Sequence, residues 1–141
     1  MTDESGSGSV RLVLAGLTAG LILIIGEVAL NGWLLGLEWE LVLDELGVGN
    51  VTPVGGAAFF LSTLLLGFLL VFLYEGLSRR LGRRPRTAVV AGLVIWVTVF
   101  LYTSVWLGIV GVFPSRLLLL GTIWGAGESI LAGLAAFRVY R

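Results

Sequence analysis

Residues 87–113 read TAVVAGLVIWVTVFLYTSVWLGIVGVF and contain no charged side chain. A helix needs about 20 apolar residues to cross the hydrocarbon core of a bilayer. The stretch is therefore long enough to predict a transmembrane helix. Its apolar character is continuous rather than alternating, which favours a helix over a strand of a membrane barrel.

Three further stretches have the same character. They run over about 12–37, 54–77 and 117–137, so the sequence predicts an all-α fold, a polytopic membrane protein built as a four-helix transmembrane bundle. We expect residues 1–141 to form this single transmembrane domain. The first residues, MTDESGSGS (1–9), are acidic and rich in Gly and Ser, which predicts a short flexible tail before span one.

The composition agrees with a chain that spans the lipid bilayer. Hydrophobic residues make up 57% of the chain and charged residues 13%, with a mean hydropathy of +1.03. A typical globular domain carries about 25% charged residues, so a soluble surface is excluded. The sequence contains no Cys, His or Lys. Disulfides, Cys/His zinc sites, His general bases and lysine Schiff bases are excluded with them, and we expect no enzyme, cofactor or metal site.

The arginines indicate the topology. The link between spans two and three carries five of them: Arg79, Arg80, Arg83, Arg84 and Arg86. By the positive-inside rule this link and both termini are cytoplasmic, in a multi-pass protein of the cell membrane. The same link is a candidate site for anionic lipid headgroups. A zero net charge argues against nucleic-acid binding.

The long link after span one predicts a short amphipathic helix at the outer surface. Its apolar residues recur at helical spacing, and Gly47 follows where the helix should end: Trp39, Val42, Leu43 and Leu46.

Small residues at four-residue spacing predict where helices pack closely. Gly16 and Gly20 lie in span one, and Gly121, Gly125 and Gly133 lie in span four. Such ridges let helix backbones approach each other inside the bundle. The alternative is that one ridge faces outward and supports a homo-oligomer or a larger membrane complex.

Two acidic residues lie inside predicted spans at similar depth, Glu27 and Glu128. Each lies on the small-residue face of its helix, and Asn31 shares the face of Glu27. No cation can reach them along their own helices, because Arg116 is about 18 Å from Glu128. They could be neutral groups that fix the helix register, share a proton, or bind a cation.

Hydroxyl side chains at the same depth could complete a polar layer around the two acids. Thr63 on span two and Tyr102 on span three are the main candidates, with Ser62, Thr98, Thr103 and Ser104 beside them. Ser and Thr also bond to their own helix backbone, so these residues are meaningful only together with the acids.

Two segments carry a resemblance to other proteins. YEGLSRR (74–80) and RTAVVAGLVIW (86–96) resemble a loose group of uncharacterised small prokaryotic four-helix integral membrane proteins with no assigned activity. The resemblance implies four spans and says nothing of mechanism.

Two functions remain open at this point. One is a non-enzymatic accessory, assembly or scaffold protein of the membrane. The other is a proton- or cation-coupled small transporter or channel that uses Glu27 and Glu128.

Overall fold

A computed structural model describes residues 4–49 and 51–140, and every regular element in these ranges is a helix. The elements follow in this order: α1 (Glu4–Glu27), a first π-helix (Val28–Leu34), α2 (Gly36–Glu45), α3 (Pro53–Leu81), α4 (Pro85–Ile95), a second π-helix (Trp96–Leu101), α5 (Tyr102–Val110) and α6 (Ser115–Tyr140).

Four helical segments are long and apolar enough to cross a membrane: Gly8–Leu34, Pro53–Leu81, Pro85–Val110 and Ser115–Tyr140. At a rise of about 1.5 Å per residue each exceeds the length that a bilayer core requires. The prediction of an all-α, polytopic four-helix bundle is confirmed.

The N-terminal segment differs from the predicted flexible tail where it is described. Helix α1 begins at Glu4, so residues 4–9 continue the helix of span one, and residues 1–3 lie outside the described residues. Adding a residue to an existing helix is far easier than starting a new one. The apolar span therefore extends its helix into the Gly- and Ser-rich segment.

Two links close the hairpins of the bundle. Gly82 ends α3 with a φ of 80°, and Thr87 Oγ1 donates a hydrogen bond of 2.7 Å to its carbonyl oxygen. Pro85 opens α4 directly afterwards. At the opposite end Gly111 has a φ of 73° and ends α5. Both glycines adopt left-handed backbone angles that side chains with a Cβ disfavour.

The bundle has two ends of different charge. The arginine end holds the link 78–86 together with Arg11 and Arg138. The acidic end holds α2 with Glu38, Glu40, Asp44 and Glu45. Helices α1 and α3, α1 and α6, and α4 and α6 are the main packed pairs.

The half of the bundle nearest the arginine end is packed through small residues. A Cβ on Gly67 would lie 2.2 Å from the backbone nitrogen of Gly20, so α1 and α3 touch through their backbones. A Cβ on Gly92 would lie 2.5 Å from the carbonyl oxygen of Ser129, and α4 and α6 touch likewise. These contacts surround a buried cluster: Ala15, Ala19, Leu23, Leu70, Val71, Ile95, Ala132 and Ala136.

The half nearest the acidic end contains both π-helices. Span one ends at Leu34, and Leu35 N donates to Leu30 O at 2.8 Å as the chain turns into α2. Helix α2 then folds back on the bundle, where Trp39 packs edge-on against Phe113 at 5.8 Å between ring centroids. The short helix expected after span one is therefore present. Its buried residue Val42 packs in a cluster with Leu30, Leu35 and Leu117.

Candidate functional site: a carboxyl pair between helices α1 and α6

Glu27 occupies the junction at which α1 changes into the first π-helix. Asn31 lies four residues further on, and its Nδ2 donates to Glu27 Oε2 at 2.5 Å. Trp39 Nε1 on α2 donates to Asn31 Oδ1 at 2.9 Å. A chain of hydrogen bonds therefore connects Glu27 to the helix that covers the acidic end. π-Helical turns inside α-helices are frequent at functional sites.

Glu128 reaches the same point from α6. Its side chain is buried, with 5% of its surface exposed, and its carboxyl group lies within hydrogen-bonding reach of Glu27. Gly26 leaves the space that this carboxyl group fills, because a Cβ there would lie 2.0 Å from Glu128 Oε2. Trp124, one turn earlier on α6, donates from Nε1 to Gly26 O at 3.1 Å and holds the two helices together.

The pair has a simple chemical consequence. Within the described residues the one donor group beside the Glu128 carboxyl is Trp124 Nε1–H, whose well-formed hydrogen bond goes to Gly26 O. Two ionised carboxylates are both acceptors and repel each other, so they can hydrogen-bond only when one of them carries a proton. The arrangement is therefore suited to hold one proton between two carboxyl groups, or a cation in its place.

Two arginines, one at each end, pair with other acids, and Arg138 lies ten residues from Glu128, about 15 Å along α6. Arg83 contacts Glu75 at 3.3 Å at the arginine end, and Arg116 contacts Glu38 at the acidic end. The spacing of twelve residues keeps Arg116 about 18 Å along α6 from Glu128. The carboxyl pair is thus left without these arginines as counter-charges.

The two acids border different spaces. Glu27 lines a cavity of ≈ 280 Å³ with Phe59 and Thr63, and a second cavity of ≈ 230 Å³ with Asn31 and Trp39. Glu128 lines a separate groove of ≈ 760 Å³ between α1 and α6. The pair therefore separates two small, partly polar cavities from one large and mainly apolar groove.

Of the two main hydroxyl candidates, the structure brings one to the pair. Thr63 is buried beside Glu27, although its Oγ1 donates to Phe59 O at 2.9 Å in its own helix. Tyr102 lies apart, with 68% of its surface exposed. It follows the second π-helix, whose wider turns change the direction in which later residues face. A regular α-helix would not show this change.

The other hydroxyls bond mainly within their own helices. Ser62 donates to Phe59 O at 2.9 Å and Thr98 to Val94 O at 2.8 Å. Thr103 and Ser104 line the smaller cavity beside Asn31. The polar layer is therefore centred on α1, α2 and α6 rather than spread over all four spans.

The glycines singled out by spacing differ in what they contact. Gly16 faces the ring of Phe68, Gly20 faces Leu64, Gly125 faces the ring of Phe100, and Gly133 faces the carbonyl oxygen of Ala88. A Cβ at Gly121 would meet no atom within 4 Å, and this residue borders the cavity of Asn31.

The arginines of the link at the arginine end, Arg79, Arg80, Arg83, Arg84 and Arg86, are all exposed. Arg83 also lies over the ring of Tyr140, 5.3 Å from its centroid. Exposed guanidinium groups at one end of the bundle suit either a topology signal or contact with lipid headgroups.

Two residues of the site carry no signal of their own in the sequence. Gly26 and Trp124 support the carboxyl pair, yet glycine and tryptophan are common in apolar spans. Gly26 directly precedes Glu27, and Trp124 lies four residues before Glu128 and so shares its helix face, which is the only hint.

Among the described residues, no group of three or more acidic, His or Cys side chains is arranged to hold a metal ion. Comparisons with family models, with curated proteins and with solved structures find no match to the chain.

Proposed function

We propose that this multi-pass membrane protein is a small transport protein that binds a proton or a small cation at Glu27 and Glu128. One observation carries the proposal: two acidic side chains from different spans meet in the bundle interior, and among the described residues neither of them takes part in an ion pair. An ionisable group at such depth costs about 2.5–3.5 kcal/mol to insert, and such groups commonly mark ion or proton pathways.

The surroundings support access from the acidic end. One of the cavities that Glu27 lines extends toward that end, where Asn31 and Trp39 continue the polar connection to α2, and the other lies beside Glu27 between Phe59 and Leu66 of α3. On the other side of the pair the buried Ala and Leu cluster around Ala19 and Ala132 fills the interior. A site open to one side and sealed from the other is what alternating access requires of one of its states.

The second candidate is an accessory or assembly role in which the pair only fixes helix register. The bonds from Trp39 to Asn31 and from Asn31 to Glu27 favour it, because they attach α2 to span one whether or not anything is transported. In this case the acids would matter for stability alone.

The orientation follows from the arginine-rich link. We propose that the arginine end and both termini are cytoplasmic and that the protein resides in the cell membrane, as the positive-inside rule predicts. A fluorescent reporter fused after Arg141 should then report the cytoplasm. A second reporter, which is active only outside the cytoplasm, is fused at the same position. Activity of this second reporter would overturn the proposed orientation.

Proton movement into liposomes tests the function. Purified protein is reconstituted into vesicles that contain a pH-sensitive dye, and a potassium diffusion potential drives protons inward. We expect the wild type to acidify the lumen faster than empty vesicles. Glu27→Gln and Glu128→Gln should return the rate to that of empty vesicles, because an amide holds no exchangeable acidic proton.

A matched control is Glu40→Gln, which changes an exposed acid of α2 and should keep the wild-type rate. Thermal unfolding in detergent is measured for all variants. Wild-type vesicles that behave like empty ones, together with a clear loss of stability in Glu27→Gln and Glu128→Gln, would support the accessory role instead.

A further inference from the structure

The groove between α1 and α6 is the largest cavity that the carboxyl pair borders. It has a volume of ≈ 760 Å³ and extends along α6 from Arg116 to Leu131, a distance of about 22 Å. Its walls are aliphatic: Ile22, Ile25, Leu30, Leu120, Ile123 and Leu131. Ligand sites commonly have volumes of about 300–1,000 Å³ and combine apolar walls with few polar groups.

Two charged residues border this groove, Arg116 and Glu128. Arg116 lies at the acidic end and is already paired with Glu38. Glu128 lies deeper, is 5% exposed, and forms no ion pair among the described residues. The groove therefore offers a ligand an acidic oxygen next to aliphatic walls. Such a surface is complementary to an apolar molecule with a positive charge.

We propose that this groove binds a lipophilic organic cation whose charge pairs with the carboxylate of Glu128. The proposal rests on the proposed function, because the cation uses the same carboxyl pair. Binding is an exchange: one proton leaves the pair through Glu27 toward its own cavities, and one monovalent cation enters from the groove. The net charge of the pair plus its occupant stays the same.

The neighbours of Glu128 determine how binding depends on pH. Glu27 on α1 is the titratable group that acts on it, and Trp124 on α6 borders the same groove without a charge. The charged residues of α3 and α4, which are Glu75, Arg79, Arg80 and Arg86, belong to the arginine end. The proton and the organic cation should therefore compete only for the pair Glu27 and Glu128. Lowering the pH should weaken binding of the cation.

An anionic lipid is the other amphiphile to consider. Its headgroup would need Arg116, which Glu38 occupies, and its chain would leave Glu128 without a counter-charge. The charges of the groove therefore favour a cation over an anionic lipid.

Binding of tetraphenylphosphonium to the full chain in detergent tests the proposal. We expect saturable one-to-one binding that weakens by about tenfold for each pH unit below the pH at which the pair takes up its shared proton, as competition with one proton requires. Glu128→Gln should weaken binding by about tenfold or more, because a charge-assisted contact is lost. Glu40→Gln should leave it unchanged.

A second pair of variants tests the groove without altering the acids. Ile123→Trp enlarges a side chain in the groove wall and should weaken binding, whereas Leu119→Trp changes a residue of α6 that does not line the groove. Equal affinities in these two variants, or binding that does not depend on Glu128, would overturn the proposal. The proposal would also be overturned if anionic phospholipid displaced tetraphenylphosphonium equally well from the wild type and from Glu128→Gln.

The two proposals fail separately. Proton movement in vesicles without any tetraphenylphosphonium binding leaves the transport function standing and overturns the groove as a cation site. Binding that depends on Glu128 but occurs without proton movement keeps the groove site and overturns transport.

Discussion

The two halves of the bundle are packed by different means, although the same four spans run through both. Toward the arginine end, glycine and alanine bring backbones into contact, as at Gly67 against Gly20. Toward the acidic end, both spans that contain π-helices are tied to α6 by tryptophans. Trp96 donates to Thr122 O at 2.8 Å, and Trp124 donates to Gly26 O at 3.1 Å.

This difference separates a half whose backbones are in direct contact, called the fixed half below, from a half that contains cavities. Backbone contact through small residues leaves little room for a helix to shift, since close-packed interiors resist local change. Cavities, π-turns and side-chain hydrogen bonds in the other half leave space beside Glu27 and Glu128. The carboxyl pair lies at the boundary of the two halves, where movement of the acidic half would change its access.

The strongest test of the fixed half is Gly67→Ala. Its Cβ would lie 2.2 Å from the backbone nitrogen of Gly20, and neither backbone can move alone. We expect a loss of about 1–3 kcal/mol or more in the free energy of unfolding. Gly76→Ala in the same helix is the control, because a Cβ there meets no atom within 4 Å. It should be neutral or stabilising by up to about 1 kcal/mol. Thermal unfolding in detergent compares the two, and equal melting temperatures would contradict the contrast.

Asn31→Ala tests the hydrogen-bond chain of the acidic half. It removes the partner of both Glu27 and Trp39, and we expect a loss of about 1–3 kcal/mol, because buried polar groups are left without partners. Trp39→Phe removes one bond and keeps the aromatic contact with Phe113, so it should cost less. Chemical denaturation in mild detergent measures both. A larger loss for Trp39→Phe than for Asn31→Ala would show that the chain does not hold the half together.

Gly26→Ala tests the boundary between the halves. Its Cβ would displace the end of the Glu128 side chain, which is flexible, so we expect a smaller stability loss of about 1 kcal/mol and a clear decrease in proton movement. Gly127→Ala is the matched control on the facing helix, where a Cβ meets no atom within 4 Å. Unchanged proton movement in Gly26→Ala would mean that the position of the Glu128 carboxyl is not critical.

The smallest effect is expected at the surface of the acidic end. Arg116→Gln removes the pair with Glu38, in which the arginine side chain is 72% exposed. Exposed ion pairs contribute about 0–1 kcal/mol, so the melting temperature should hardly change and should depend little on salt. A loss as large as that of Gly67→Ala would show that α2 is held mainly by this pair.

The sequence was sufficient for the spans and for the similar depth of the two acids, but not for the local geometry. Uninterrupted apolar length predicts the four spans, and the shared depth and small-residue face of Glu27 and Glu128 predict their approach. The π-helices are not visible in the pattern, because an apolar stretch looks alike in α and π geometry. Depth alone groups Tyr102 with the acids, whereas its side chain faces outward.

The fit of Gly26 and Trp124 around the pair was beyond prediction for another reason. Which glycine faces which carboxyl depends on how α1 and α6 are rotated against each other, and helical periodicity constrains that rotation only to a broad face. The distance from Gly26 to Glu128 is a property of the assembled bundle.

The central claim is that Glu27 and Glu128 hold one proton between them, and infrared spectroscopy tests it most directly. At neutral pH the wild type should show the carbonyl stretch of a protonated carboxylic acid, and the double variant Glu27→Gln/Glu128→Gln should lack it. A wild-type spectrum without that band, identical to the spectrum of the double variant in the same region, would contradict the claim.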